Sequence, residues 1–134
     1  MGDLNYRMNT KYSKFNNSNI KQAFTLFKKL DQLTLSMQID KNFPGYEEAP
    51  ITFLPTYKLS KSERLYIDKK DQAPSYCDRV LYKNNSSLEI EVLGYEALHE
   101  VYGSDHRPIL LTLAIKNFKR PRYYELSELL KDKQ

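Results

Sequence analysis

The chain has 134 residues, which is enough for one domain with a real core and small for two. Hydrophobic residues make up 40% and charged residues 28%, a composition that excludes a disordered chain, and no apolar run approaches the length of a membrane span. The net charge of +4 suits anionic partners such as phosphates, nucleic acid or acidic membranes. The single cysteine, Cys77, excludes an internal disulfide and favours a reducing, cytoplasmic compartment.

The early part of the chain has the spacing of amphipathic helices. Between residues 19 and 30, apolar side chains recur every three or four positions, and Ser18 is the expected N-cap. A second, shorter helix is expected after Asp31, with an apolar face formed by Leu33, Leu35 and Met37. The sequence therefore predicts its helices before most of its strands.

The later part of the chain predicts strands. Residues 51–54 form a short β-prone run that ends at Pro55. Residues 79–82 and the alternating run 88–92 are predicted to pair as a hairpin, and residues 109–115, apolar on both faces, are predicted to be a central strand. Early helices followed by strands indicate an α+β fold, or a layered α/β fold, with a mainly antiparallel sheet.

Two loops carry groups with catalytic chemistry. Asp78 stands at the mouth of one predicted strand, and His106 lies in the loop before another. A histidine can exchange hydrogen bonds with a phosphate oxygen when a carboxylate fixes its tautomer, and Asp78 is suited to that task. Asp105 is then available for a hard cation such as Mg²⁺.

A second polar pair lies at the start of the chain. Asp3 and Asn5 would point the same way from an extended backbone, and an acid beside an amide can activate water and hold an oxyanion. Tyr57 and Lys58 fit either a phosphate clamp or a surface turn. Turns and caps commonly use the same residue types, so each motif alone also has a purely structural interpretation. Cys77 is interpreted as a small buried hydrophobe, since no histidine or lysine closely flanks it.

Taken together and in order, four motifs resemble the inositol polyphosphate 5-phosphatases. They are Gly2-Asp3-Leu4-Asn5-Tyr6-Arg7, Pro55-Thr56-Tyr57-Lys58, Pro74-Ser75-Tyr76-Cys77-Asp78-Arg79-Val80-Leu81 and Ser104-Asp105-His106-Arg107-Pro108. The resemblance covers residues 1–116, and residues 117–134 are expected to form a basic linker and a short helix.

The resemblance implies roles for the residues around the scissile phosphate. Asp3 matches the acid that activates the attacking water, and Asn5 matches the amide that holds the phosphate. His106 looks like the histidine that contacts this phosphate, and Asp78 like the carboxylate that orients it. Asp105 resembles the acid on the metal side of the site.

Further residues match the part of the family site that grips the neighbouring 4-phosphate. Tyr57 and Lys58 match its central pair, and Lys70 resembles an additional lysine. Arg79 belongs to its motif and is expected to support substrate binding. Gln72 stands where the family has an arginine, which implies a weaker or shifted grip, because a fixed two-pronged phosphate donor is lost.

The implied fold is the endonuclease/exonuclease/phosphatase-like four-layer β-sandwich with flanking helices, present here in part. The first half of that domain, with a metal-binding glutamate and a second histidine, is expected to be absent before Met1. The implied activity is Mg²⁺-dependent hydrolysis of the 5-phosphate of phosphoinositides or soluble inositol phosphates in the intact parent enzyme. The 134 residues alone are expected to be nearly inactive.

Two alternatives stay open. One is a nuclease or sphingomyelinase of the same superfamily. The Tyr57-Lys58 and Asp78-Arg79 motifs disfavour this alternative, and they also disfavour nucleic acid as a partner. The other is a non-catalytic module that binds phosphoinositides or another protein through a basic cleft. The basic run 116–122 is expected either to meet an anionic membrane or to form a solvated linker.

Overall fold

A computed structural model of the chain describes residues 1–84 and 89–116. These ranges contain two α-helices and six short or medium strands. A 3₁₀ turn over Ile20–Gln22 precedes the first helix. In chain order the elements are β1 (Gly2–Asp3), α1 (Ala23–Leu30), α2 (Gln32–Gln38), β2 (Glu47–Glu48), β3 (Asp78–Arg79), β4 (Leu81–Tyr82), β5 (Glu89–Ala97) and β6 (Ile109–Lys116).

The two predicted helices are present, and Asp31 separates them. The carboxylate of Asp31 accepts the backbone N–H of Thr34 at 2.8 Å, so it caps α2. The predicted cap at Ser18 is wrong, because the 3₁₀ turn starts after Asn19 and α1 starts only after Gln22, neither with a side-chain cap.

The strands pair over long distances in sequence. In the described residues they form three antiparallel ladders of two strands each: β1 with β3, β2 with β4, and β5 with β6. The predicted hairpin between residues 79–82 and 88–92 is therefore wrong. Strand β5 pairs with β6, with Ile90 opposite Ile115 and Ala97 opposite Ile109.

Two other strand predictions also need correction. Residues 51–54 form no strand, although Phe53 is buried and its carbonyl accepts the Tyr76 hydroxyl at 3.0 Å. Strand β6 was predicted to be central, yet in the described part of the chain it pairs with β5 alone. Leu110 is 46% exposed and Ile115 is 53% exposed, so β6 is not buried on both faces.

Aromatic side chains form the centre of the core. Tyr76 is fully buried, with its ring 4.9 Å from that of Phe27 and 6.0 Å from that of Phe53. The ring of Tyr95, from β5, lies 5.0 Å from Phe53 in an edge-to-face arrangement. This cluster joins α1, the segment before Pro55, the segment before β3, and β5.

The described chain is thus a mixed α and β structure, and the predicted α+β class is confirmed. None of its described helices has the length and apolarity needed to cross a membrane. The basic linker and helix predicted for residues 117–134 lie outside the described residues.

Candidate functional site

The pairing of β1 with β3 brings the start of the chain beside Asp78. The register sets Asp3 opposite Asp78, and Leu4 extends the pairing by donating to the carbonyl of Cys77 at 2.8 Å. Asn5 then turns the chain with a φ of 58°, a left-handed conformation that asparagine tolerates better than most residues. Its N–H donates to Oδ1 of Asp3 at 2.9 Å, which closes an Asx-type turn.

Asn5 consequently does not point from an extended strand as predicted. Nη2 of Arg7 donates to Oδ1 of Asn5. The Nδ2 group of Asn5 makes no hydrogen bond with any described residue, so this amide is presented as a donor. Asp3 and Asn5 still lie side by side, but a turn brings them together.

His106 lies between the carboxylates of Asp78 and Asp3. Its Nδ1 is 3.0 Å from Oδ2 of Asp78, and its Nε2 is 3.9 Å from Oδ2 of Asp3. The side chain of Asp78 is only 14% exposed, whereas that of Asp3 is 50% exposed. The three groups therefore form a line from the protein interior to the surface.

The loop that carries His106 is held by its neighbour Arg107. The Arg107 side chain is fully buried and donates to the carbonyls of Ser60 and Ser104, each at 2.6 Å. It also donates to the carbonyl of Glu63 at 3.0 Å. A guanidinium that satisfies several loop carbonyls gives His106 a rigid support.

The ring of Tyr57 packs beside the imidazole of His106. Its ring centroid lies 4.5 Å from that of His106, and the guanidinium of Arg7 lies 4.2 Å above the Tyr57 ring. Nζ of Lys58 is 5.6 Å from the same ring. Two cations thus lie near the Tyr57 ring, which packs beside the imidazole, and this arrangement suits an anionic ligand.

Asp105, the predicted metal-side acid, is already bound by a cation. Nζ of Lys58 lies 2.9 Å from Oδ2 of Asp105. The hydrogen bond from Lys58 lowers the pKa of Asp105, and the same bond raises the pKa of Lys58. The described residues form one group of possible metal ligands, which contains Asp3, Asp78 and His106 but not Asp105.

The donor set fits Mg²⁺ in part. Magnesium usually binds through one or two carboxylates and keeps several waters, and the exposed carboxylate of Asp3 meets that need. Asp105 is not in the same ligand group, and its Oδ2 lies 2.9 Å from Nζ of Lys58. Imidazole is the ligand of transition metals rather than of Mg²⁺, and His106 is engaged by Asp78.

The predicted role of Arg79 requires a correction. This residue was expected to support substrate binding, but its side chain is fully buried and donates to Asp31 and to Glu48. Burial disfavours its charge, yet the bonds to Glu48 and the charge of Asp31 more than offset this effect and raise the pKa of Arg79. Its role is to join α2, β2 and β3 rather than to contact a ligand.

Lys70 and Cys77 stand outside the group around His106. Lys70 lies in an exposed turn and makes no hydrogen bond or ion pair with any described residue. Cys77 is fully buried, and desolvation raises the pKa of its thiol to about 12. A thiol that stays protonated is no nucleophile, which supports its interpretation as a core residue.

Two residues that contact the site were not predicted from the sequence. Arg7 stacks on Tyr57 and orients Asn5, and Thr56 donates from its hydroxyl to Oδ2 of Asp78 at 2.7 Å. Both lie inside motifs that were singled out, so their position in the chain was a usable signal. Their contacts come from tertiary structure, which spacing alone does not reveal.

Comparisons with known proteins identify the family. The model of the family described as Endonuclease/Exonuclease/phosphatase family 2 matches residues 1–112. The chain is 31% identical over 152 residues to type II inositol polyphosphate 5-phosphatase 14 of Arabidopsis thaliana, covering 99% of this chain and 13% of that protein. The chain therefore spans about an eighth of the length of this curated relative.

Solved structures give the same fold. The inositol polyphosphate 5-phosphatase domain of spsynaptojanin, in complex with inositol (1,4)-bisphosphate and calcium ion, matches with a TM-score of 0.71 and 32% identity, over 86% of this chain and 34% of that one. The ferrous NO complex of Cimex nitrophorin matches with a TM-score of 0.73 and 32% identity, over 85% of this chain and 40% of that one.

The fold is that of the endonuclease/exonuclease/phosphatase class. The chain belongs to endonuclease/exonuclease/phosphatase family 2, and its predicted resemblance to the inositol polyphosphate 5-phosphatases is confirmed. Because a nitrophorin shares this fold, the activity has to be argued from the site and not from the fold.

Proposed function

We propose that this chain supplies site residues of a Mg²⁺-dependent hydrolase that removes the 5-phosphate from phosphoinositides or soluble inositol phosphates. The observation that carries the proposal is the line of Asp3, His106 and Asp78, with Nδ1 of His106 3.0 Å from Oδ2 of Asp78 and Nε2 3.9 Å from Oδ2 of Asp3. The names of the similar plant 5-phosphatase and of the spsynaptojanin domain with bound inositol bisphosphate support the substrate class.

In this proposal Asp3, His106 and Asn5 act on the reacting groups. The half-exposed carboxylate of Asp3 accepts a proton from the attacking water. When the imidazole is protonated, Nε2 of His106, which faces away from Asp78, donates to a phosphoryl oxygen, and the Nδ2 group of Asn5 donates to another. These contacts stabilise the transition state if they strengthen as negative charge builds up on the phosphoryl oxygens.

The metal belongs to the same proposal. A bound Mg²⁺ would neutralise charge on the transferred phosphoryl group. Asp3 is the residue whose exposed carboxylate would hold it, with Asp105 joining if Lys58 moves to the substrate. In that exchange the ammonium of Lys58 leaves a carboxylate and pairs with a phosphate.

The neighbouring phosphate would lie against the cations around Tyr57. Lys58 and Arg7 both lie over or beside its ring. Lys70 stays a predicted contributor from its exposed turn. A cytoplasmic location, with contact to an anionic membrane through the basic run 116–122, is likewise a prediction.

The test is binding and turnover with inositol 1,4,5-trisphosphate. Backbone amide signals of the 134-residue chain should shift at Asn5, Lys58 and His106 on titration. Lys58→Met should weaken binding, while the exposed Lys61→Met serves as the matched control of equal charge change. Shifts spread evenly over the basic surface, with both variants behaving alike, would contradict the proposed site.

Turnover separates an enzyme from a binding module. The chain covers 34% of the similar phosphatase domain, so we expect phosphate release by these 134 residues to be very slow. Grafting residues 1–116 in place of the matching segment of the spsynaptojanin domain should give Mg²⁺-dependent release of the 5-phosphate, lost with His106→Ala. A folded graft that binds the trisphosphate without releasing phosphate would favour the non-catalytic module. Cleavage of abasic DNA by the same graft would favour a nuclease.

A further inference from the structure

The carboxylate of Asp78 has a second hydrogen-bond donor besides His106. The hydroxyl of Thr56 donates to Oδ2 of Asp78 at 2.7 Å, and the same oxygen lies 3.0 Å from Nδ1 of His106. Thr56 is fully buried. The shared oxygen therefore accepts from two sides at once.

The backbone around Thr56 also joins the two segments that carry Asp78 and His106. The carbonyl of Thr56 accepts the N–H of Arg107 at 2.9 Å. The next residue, Tyr57, exchanges two backbone bonds with Ser75, at 3.1 and 2.6 Å. Thr56 thus stands at the point where these segments meet, with its backbone bound to one and its side chain to the other.

A lone hydrogen bond does not fix an aspartate. The terminal torsion of Asp is broad and roughly two-fold, so a carboxylate with one partner can rotate within its site. A second donor, fixed on a buried backbone, restricts that rotation. The orientation matters because Asp78 selects which ring nitrogen of His106 carries the proton.

We propose that Thr56 is a positioning residue whose hydroxyl orients Asp78 and thereby holds neutral His106 as the Nδ1–H tautomer. In that tautomer the lone pair of Nε2 points toward the side of Asp3, 3.9 Å away. The catalytic meaning of this arrangement rests on the proposed function, but the tautomer is a property of the chain itself.

A purely structural role makes a different prediction. If the hydroxyl bonds to Asp78 only because a buried hydroxyl needs a hydrogen-bond partner, its removal lowers stability and leaves the tautomer of His106 unchanged. If it positions Asp78, its removal changes the tautomer ratio. We expect that change to be roughly 2- to 10-fold, the range set by the net contribution of an ordinary hydrogen bond.

The experiment measures ¹⁵N chemical shifts of the imidazole rings of the 134-residue chain in alkaline, metal-free buffer, where imidazole is neutral. A His99→Gln background leaves His106 as the single histidine signal. Thr56→Val, which keeps the side-chain volume, should move the ratio toward Nε2–H by that factor. Thr56→Ser, which keeps the hydroxyl, should retain the wild-type ratio.

The proposal can still be tested if Thr56→Val does not fold. Thr56→Ala is smaller and avoids any clash at the buried position, and a native amide spectrum is required of each variant before its ratio is used. An unchanged tautomer in folded Thr56→Val or Thr56→Ala overturns the proposal, as does an equal change in Thr56→Ser. A changed tautomer without any phosphatase activity in the grafted domain would leave Thr56 a positioning residue and overturn the proposed function instead.

Discussion

Nη1 of Arg79 donates to both carboxylate oxygens of Asp31, at 2.9 and 3.0 Å, with both side chains fully buried. The same guanidinium donates from Nε and Nη2 to the two oxygens of Glu48, at 2.7 and 2.6 Å. One buried cation therefore joins the cap of α2, strand β2 and strand β3. Because Asp78 precedes Arg79 in β3, this network also supports the candidate site.

Removing the buried cation should destabilise the chain strongly. Arg79→Met leaves Asp31 and part of Glu48 as buried carboxylates without their partner, and such a change costs about 3–5 kcal/mol of unfolding free energy. Urea unfolding followed by circular dichroism measures it. The control is Arg64→Met, whose pair with Glu100 spans 3.1 Å between side chains 54% and 71% exposed, and it should cost at most about 1 kcal/mol. Similar losses in both variants would refute a special role for the buried network.

Arg7 should matter for ligand binding more than its single charge suggests. Arg7→Lys keeps the charge but loses the planar group that stacks on Tyr57 and donates to Asn5. We expect about a tenfold weaker affinity for inositol 1,4-bisphosphate, measured by calorimetry, because one charge-assisted hydrogen bond is lost. Lys11→Met removes a charge from a side chain that is 74% exposed and should change affinity by less than twofold. Equal losses would mean that overall charge, and not the geometry at Arg7, governs binding.

Local patterns predicted the parts of the fold that local physics determines. Helical spacing indicated α1, and strict alternation of acidic and apolar residues indicated the half-buried strand β5. The pairing of β5 with β6 was missed, because a hairpin between neighbouring runs is the default that sequence order suggests. The actual partner of residues 78–79 is β1, more than seventy residues earlier in the chain.

Site residues could be predicted where the chemistry requires particular residue types. They could not be predicted where a tertiary contact determines the role of the residue. The pairing of His106 with Asp78 was expected from chemistry, and the structure has these groups 3.0 Å apart. Arg79 carried the same charge signal as a ligand-binding arginine, and only its burial reveals that it holds Asp31. Thr56 carries no charge and is not a typical metal ligand, so the sequence does not mark it as a site residue. Its role becomes visible only from its hydrogen bond to Asp78 in the structure.

Lys58 and a divalent cation should compete for Asp105. In a Mn²⁺ titration followed by calorimetry, the wild-type chain should bind weakly, because Lys58 lies 2.9 Å from the Asp105 carboxylate. Lys58→Met frees the Asp105 carboxylate, so the affinity for Mn²⁺ should rise. Lys61→Met is the control for a lost surface charge and should keep the wild-type affinity. Equal affinities in the wild type and in Lys58→Met would argue against competition.

His99 should make the chain less stable in acid. Burial lowers the pKa of His99 from its ordinary value of 6.5, and the charges of Arg64 and Arg107 act in the same direction, while the backbone of Leu54 and Glu100 partly oppose them.

The sign follows from proton binding. The unfolded chain, with His99 near its ordinary pKa of 6.5, binds a proton more readily than the folded chain. The free energy of unfolding should therefore fall as pH drops through 6.5. His99→Leu removes the titrating group and should flatten this part of the profile, and His99→Gln should do the same if leucine is not tolerated. Urea midpoints measured above and below this pH test the expectation. A wild-type slope that survives in both variants would assign the acid sensitivity to another group.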